Sequence, residues 1–211
     1  MIILHVIAVT VNLHTMDTKN VSYTNQGLTT MPSGLPNDTV TLDLSNNKLI
    51  EIHVNELVGL YQLKELFLHE NRLTTVPELI AVRNTLKVLK LHNNLITFIP
   101  AHVFDSFTLT FLSLGGYRLT SLPDLSILGC SLTYLGVAST QLIYIPDLRH
   151  NNPASFTINV LDVPLNLCAC ENVWLKQAEK EGATVKVDDK TNPCWSDAGH
   201  HQLQIQCANC K

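Results

Sequence analysis

Basic residues are in short supply in this chain. Lys and Arg number 14 against 18 Asp and Glu, a formal net charge of −4. The basic stripe that a nucleic-acid binder presents is therefore not expected. Long apolar runs are missing too, since no stretch approaches the roughly 18 consecutive apolar residues of a membrane-spanning helix. Ser and His occur without a G-x-S-x-G elbow, an H-E-x-x-H pair or a phosphate-cradling glycine loop, so the expectation is no enzyme and no cofactor. Paired C-x-x-C knuckles are absent, which argues against zinc even though His200 and His201 lie among cysteines.

What the chain has is repetition. "LKLHNNLITFIP" (Leu89 to Pro100) and "LSLGGYRLTSLP" (Leu112 to Pro123) align without a gap. "LDLSNNKLIEIH" from Leu42, "LFLHENRLTTVP" from Leu66 and "LGVASTQLIYIP" from Leu135 join them, with a weaker "VSYTNQGLTTMP" from Val21. The slot held by Asn or its substitute falls at Gln26, Asn47, Asn71, Asn94, Tyr117, Thr140 and Val163, in steps of 21, 24, 23, 23, 23 and 23. That period, with an L-x-x-L-x-L-x-x-N-x-L core, is the signature of a leucine-rich repeat. The fold expected is an α/β repeat, a curved solenoid with a concave parallel β-sheet and a cap at each end. A chain of 211 residues with 45% apolar content suits one such domain. The division is residues 1–38 for a cysteine-less N-terminal cap, 39–154 for five repeats and 155–211 for the C-terminal cap.

Alternation of period two sorts each strand into core and surface. In "LKELFLHEN", Leu63, Leu66 and Leu68 turn inward, while Glu65, Phe67 and His69 face out. The slot Asn is expected to cap the strand through its amide, satisfying turn groups that would otherwise be buried unpaired. Tyr117 cannot, and the preceding Gly115 and Gly116 allow the backbone to turn it outward. The concave surface then reads Thr41, Asp43 and Ser45; Glu65, Phe67 and His69; Val88, Lys90 and His92; Phe111, Ser113 and Gly115; Tyr134, Gly136 and Ala138. Glu70 at a strand end and Asp162 near the cap extend it.

From this surface the candidate ligand-binding residues are Asp43, Glu65, Phe67, His69, Glu70, Lys90, His92, Phe111, Ser113, Tyr134 and Asp162. Acidic weight lies toward the N-terminal half, against a single central Lys90. Phe67, Phe111 and Tyr134 form an expected aromatic column, exposing apolar area that a merely solvated face would not need. His69 and His92 hold the same outward position on neighbouring strands about 4.8 Å apart and are expected to feel each other's charge. If both protonate below about pH 6 their repulsion alters the concave face, and the alternative is a solvated pair with no consequence.

The ends differ from the repeats. "MIILHVIAVTVNLHT" (residues 1–15) has the apolar run of a secretion signal without a basic start, and reads alternatively as a first strand covering the open end of the stack. Five of the six cysteines crowd the last 44 residues, reading as a disulfide-stapled cap made in an oxidising compartment. Cys130 stands alone and is expected to be a buried free thiol. The sequons at Asn20 and Asn37 suit the same compartment.

"VPLNLCACENVWLKQ" (Val163 to Gln177) resembles the C-terminal cap of extracellular leucine-rich repeat proteins, in which N-P-x-x-C-x-C precedes a helix with Trp-Leu. Pro164, Cys168, Cys170, Trp174 and Leu175 match, and Val163 replaces the usual Asn. The resemblance implies disulfides Cys168–Cys194 and Cys170 with Cys207 or Cys210, of which the alternation Leu203, Ile205, Cys207 favours Cys207. "NVSYTNQGLTTMPSGLP" is similar to the matching N-terminal cap, with Tyr23 where a Cys belongs. The plan as a whole resembles the variable lymphocyte receptors of jawless vertebrates and, most closely, their receptor-like relatives in lancelets. That resemblance implies a secreted or cell-surface immune recognition module that binds a microbial surface polymer or protein antigen of bacteria. The other class it leaves is an adhesion or matrix protein gripping an endogenous protein partner.

Overall fold

A computed structural model describes residues 20–116, 118–128, 131–148, 156–188 and Trp195. The expectations placed on residues 1–15, Tyr117, Cys130, Cys194, His200, His201, Cys207 and Cys210 lie outside the described residues. Among the described residues eight three-residue strands form one all-parallel sheet in chain order. They are β1 (Asn20–Ser22), β2 (Thr41–Asp43), β3 (Glu65–Phe67), β4 (Val88–Lys90), β5 (Phe111–Ser113), β6 (Tyr134–Gly136), β7 (Thr157–Asn159) and β8 (Thr184–Lys186). This is the curved leucine-rich repeat solenoid read from the sequence.

Register explains why three residues suffice. The central residues Leu42, Leu66, Leu89, Leu112, Leu135 and Ile158 pair strand to strand and are all fully buried. Two residues later Leu44, Leu68, Leu91, Leu114, Val137 and Val160 add a second inward row. Each repeat contributes too little apolar area to fold alone, and stacking buries a continuous core. The opposite wall is made of short 3-10 turns, such as Val54–Leu57 and Ile80–Val82, which seat Leu57 and Val82 against the same core.

The slot asparagines reach further than a local strand cap. Asn71 Nδ2 donates to Leu68 O of its own repeat (3.1 Å) and to Leu44 O of the preceding one (2.9 Å), while its Oδ1 accepts the Leu49 N–H (3.0 Å). Asn94 does the same toward Leu91, Leu68 and Leu73, and Asn47 toward Leu44, Tyr23 and Leu28. The asparagines therefore form a ladder that clamps one repeat to the last. Thr140 keeps one rung, its hydroxyl donating to Val137 O at 2.9 Å. The residue before each slot turns left-handed: φ is 57° at Asn25 and Asn46, 56° at Glu70 and Asn93, 55° at Ser139 and 54° at Asp162. Asn tolerates that region best among residues with a side chain, which accounts for the recurrent Asn-Asn pairs.

The helix α1 (Val173–Lys180) closes the C-terminal end and buries Trp174, Leu175 and Ala178. The Trp174 indole N–H donates to Ile145 O at 2.9 Å, tying the cap to the last repeat. Val163 leaves its slot without an amide, and Asn172 supplies one nine residues on. Fully buried, it accepts from Ile145 N–H (3.1 Å) and donates to Ile143 O (3.1 Å) and Asn166 O (3.0 Å). Cys168 and Cys170 are both disulfide-bonded. Among the described residues no helix is long and apolar enough to cross a membrane.

Candidate functional site

Parallel register lays the outward side chains in rows across the sheet. The first positions of the strands give Thr41, Glu65, Val88, Phe111, Tyr134 and Thr157; the third positions give Asp43, Phe67, Lys90, Ser113, Gly136 and Asn159. The expected aromatic column is thereby corrected. Phe111 and Tyr134 share the first row and stack at 4.2 Å with planes 5° apart, whereas Phe67 stands in the second row. Lys90 joins them, its Nζ 4.3 Å from the Phe67 ring centre and 5.8 Å from that of Phe111. Both rings attract the ammonium through their negative faces.

The acidic end is more occupied than its charges suggest. Asp43 Oδ1 accepts from Ser45 N–H (2.9 Å) and Ser45 Oγ (2.6 Å), shaping the turn that follows β2. Glu65 Oε2 accepts from Thr41 Oγ1 at 3.1 Å across the strand pair. Glu70 is exposed, and its backbone N–H donates to His92 O at 3.0 Å. It holds a left-handed conformation where Asn25, Asn46 and Asn93 stand in other repeats, so its carboxylate is presented at some conformational cost.

His69 and His92 meet as the register requires, their rings stacked with centroids 4.5 Å apart and planes inclined by 14°. Burial lowers the pKa of His69, opposed in part by Asp43 and Glu70 and reinforced by Lys90. Its Nδ1 is sealed from solvent without a hydrogen-bond partner among the described residues, a poor place for a second N–H. Burial, then the charges of His69 and Lys90, push His92 down to about 4. His92 Nδ1 lies 3.1 Å from Ser113 Oγ. The rings are as close as expected, but the condition for repulsion below about pH 6 is not met at His92, which desolvation keeps neutral well below that.

A depressed histidine pKa means the unfolded chain binds more protons between about 4 and 6.5, so this contribution to stability is complete above 6.5 and is lost as pH falls toward 4. NMR titration is expected to place the His92 midpoint near 4, and stability should fall less steeply over that window in His92→Gln than in the parent. A His92 midpoint at its ordinary value would refute the assignment.

Beside the aromatic pair the sheet opens into a trough of about 340 Å³ spanning β4 to β7. Of the sequence-predicted residues it gathers Lys90, His92, Phe111, Ser113 and Tyr134, with Gly115, Gly136 and Ala138 also on its lining. Asp43, Glu65, Phe67, His69 and Glu70 lie outside that lining, toward β2 and β3, and Asp162 borders a separate hollow with Thr140, Gln141 and Asp188. Asn93, Ser139 and Asn159 line the trough without having been singled out from the sequence. Asn159 shares a register row with Lys90 and Ser113, a signal that extending the rows past Tyr134 would have used.

Comparison with known proteins agrees with this architecture. The family model for the leucine-rich repeat matches residues 39–60. Human oligodendrocyte-myelin glycoprotein is 35% identical over 66 residues, which make up 31% of this chain and 14% of that protein. Among solved structures, human 5T4 (Wnt-activated inhibitory factor 1, trophoblast glycoprotein) superposes with a TM-score of 0.53 at 17% identity, covering 80% of this chain and 85% of its own. A leucine-rich repeat protein of Leptospira interrogans superposes with a TM-score of 0.51 at 18% identity, covering 81% and 60%. At such identities the likeness is one of fold.

Proposed function

We propose that this leucine-rich repeat protein is a non-enzymatic recognition module, an immune receptor of the variable-lymphocyte-receptor kind, and that its concave sheet face holds a surface polymer or protein antigen of bacteria. One observation carries the reading. Phe67, Lys90, Phe111 and Tyr134 form a contiguous, half-exposed cluster on a face whose buried core has no need of them. Rigid aromatic and cationic groups gathered at the centre of a face are the usual anchors of binding energy. Among the described residues the nearest approach to a catalytic pair is Ser113 with His92, and a histidine neutral down to about pH 4 is too weak a base to activate a hydroxyl.

The disulfide-bonded Cys168 and Cys170 support a secreted or cell-surface location, where such bonds persist. We assign residues 39–154 to the repeats that carry the face and 155–211 to a cap held by Cys168–Cys194 and by Cys170 with Cys207 or Cys210. Peptide mapping without reduction should recover both bridges, and loss of either is expected to cost about 2–5 kcal/mol. A free Cys168 thiol would contradict the assignment.

The second reading is an adhesion or matrix protein with an endogenous protein partner. Whole-bacterium binding separates the two. Glu65→Ala with Glu70→Ala should weaken it about threefold to tenfold at low salt, with the difference shrinking as salt screens the face. Phe67→Ala should weaken it by lost apolar contact, and Asn55→Ala, exposed on the turn opposite the sheet, should bind as the parent does. Unchanged binding of the acidic double variant at both salt concentrations removes Glu65 and Glu70 from the site, and binding to host-cell extract alone selects the second reading.

A further inference from the structure

Resting on that recognition role, we infer that the trough between β4 and β7 is a subsite for an acidic sugar, a pyranose ring carrying a carboxylate. Its volume of about 340 Å³ lies at the lower end of small-molecule sites, suited to one or two rings. Its depth is built into the backbone. A Cβ at Gly115 would stand 2.7 Å from Ala138 O, and one at Gly136 would stand 2.9 Å from Tyr134 Cε1. Glycine at both places lets the neighbouring strand and the tyrosine ring close down and leaves the floor without side chains.

The rim holds hydrogen-bonding capacity that the fold leaves unused. The Asn93 amide, the Tyr134 hydroxyl and the Ser139 hydroxyl make no side-chain hydrogen bond among the described residues, and all three line the trough. Polar groups of this kind around an aromatic pair match a ring with hydroxyls on its edge and C–H groups on its face. The sheet offers a peptide no strand pairing here, because the β4–β7 backbone bonds are spent between neighbours.

Charge selects the carboxylate. Lys90 is held by Phe67 and Phe111 and has no ion-pair partner among the described residues. Among the described residues no acidic side chain lines the trough, and Asp43 and Glu65 are turned to Ser45 and Thr41. With His92 neutral, Lys90 is the sole positive charge on the lining among the described residues. The face is thus divided: its β2–β3 end favours cations, while the trough favours an anion.

The test is calorimetric titration of the intact chain with a glucuronate-containing oligosaccharide and with its carboxyl-reduced counterpart. The acid form should bind about tenfold more tightly or better, the worth of one charge-assisted hydrogen bond. Lys90→Met should abolish that preference and Lys90→Arg should retain it. Amide shifts on binding should centre on Gly115, Gly136 and Ala138. Equal affinity for the two forms, binding of neither, or shifts centred on β2 and β3 would overturn the subsite. Those outcomes, with bacterial binding still lost on removal of the aromatic pair, leave the recognition role standing. Discrimination between the sugars without any binding of bacteria keeps the subsite and rejects the microbial reading.

Discussion

Asn71→Ala is expected to destabilise the solenoid by about 2–4 kcal/mol without removing a single apolar contact of the leucine rows. The side chain is 7% exposed and serves Leu49 N–H, Leu44 O and Leu68 O, with a longer contact to His69 O at 3.4 Å. Alanine leaves the Leu49 N–H buried with no partner, while Leu44 O and Leu68 O each lose one of two donors and keep the amides of Asn47 and Asn94. One orphaned buried group costs about 1–3 kcal/mol and each hydrogen bond lost from a carbonyl that keeps another about 0.5–1 kcal/mol, which together reach the stated range. Asn71→Asp should be comparably damaging, since a carboxylate keeps the acceptor for Leu49 but faces two carbonyl oxygens with no hydrogen to give. Urea denaturation followed by circular dichroism should show a lower midpoint for both variants. An unchanged midpoint for Asn71→Ala would mean that the ladder contributes nothing net, and that the leucine stack alone holds neighbouring repeats in register.

The same ladder shows how far the sequence could be read. The period of the slot, the inward leucines and the outward surface all follow from spacing, because a residue's parity in a strand decides its face. That Asn71 reaches Leu44 depends on how one coil stacks on the last, which no single repeat records. The aromatic residues teach a related point. Phe111 and Tyr134 open the three-residue strands "FLS" and "YLG", whereas Phe67 closes "ELF", so the two rows were legible once strands were aligned by position and not only by parity. The lowered histidine pKa values were not legible, for they come first from burial, then from the charge of Lys90 on both rings and that of His69 on His92. Nor was Asn172, which lies in a cap with no repeat to align it against, nor β8, the strand that follows α1.

The largest effect on function is expected from Phe111→Ala combined with Tyr134→Ala. Both rings are half-buried on the outer face of the sheet, so truncation exposes little of the core and should cost stability only about 1 kcal/mol. Binding should suffer far more. Truncating a central aromatic anchor costs about 2 kcal/mol or more, and removing the pair should weaken bacterial binding about a hundredfold or more. The two substitutions should not be additive. Stacked at 4.2 Å, each ring fixes the other, so either single change frees its neighbour and takes with it part of the pair's contribution. Each single variant is therefore expected to lose more than half of the total effect in free-energy terms. The measurement is a titration of labelled protein onto bacteria for the parent, both single variants and the double variant, with thermal unfolding run in parallel. A double variant that melts near the parent temperature and still binds as the parent does would show that the partner sits elsewhere on the solenoid.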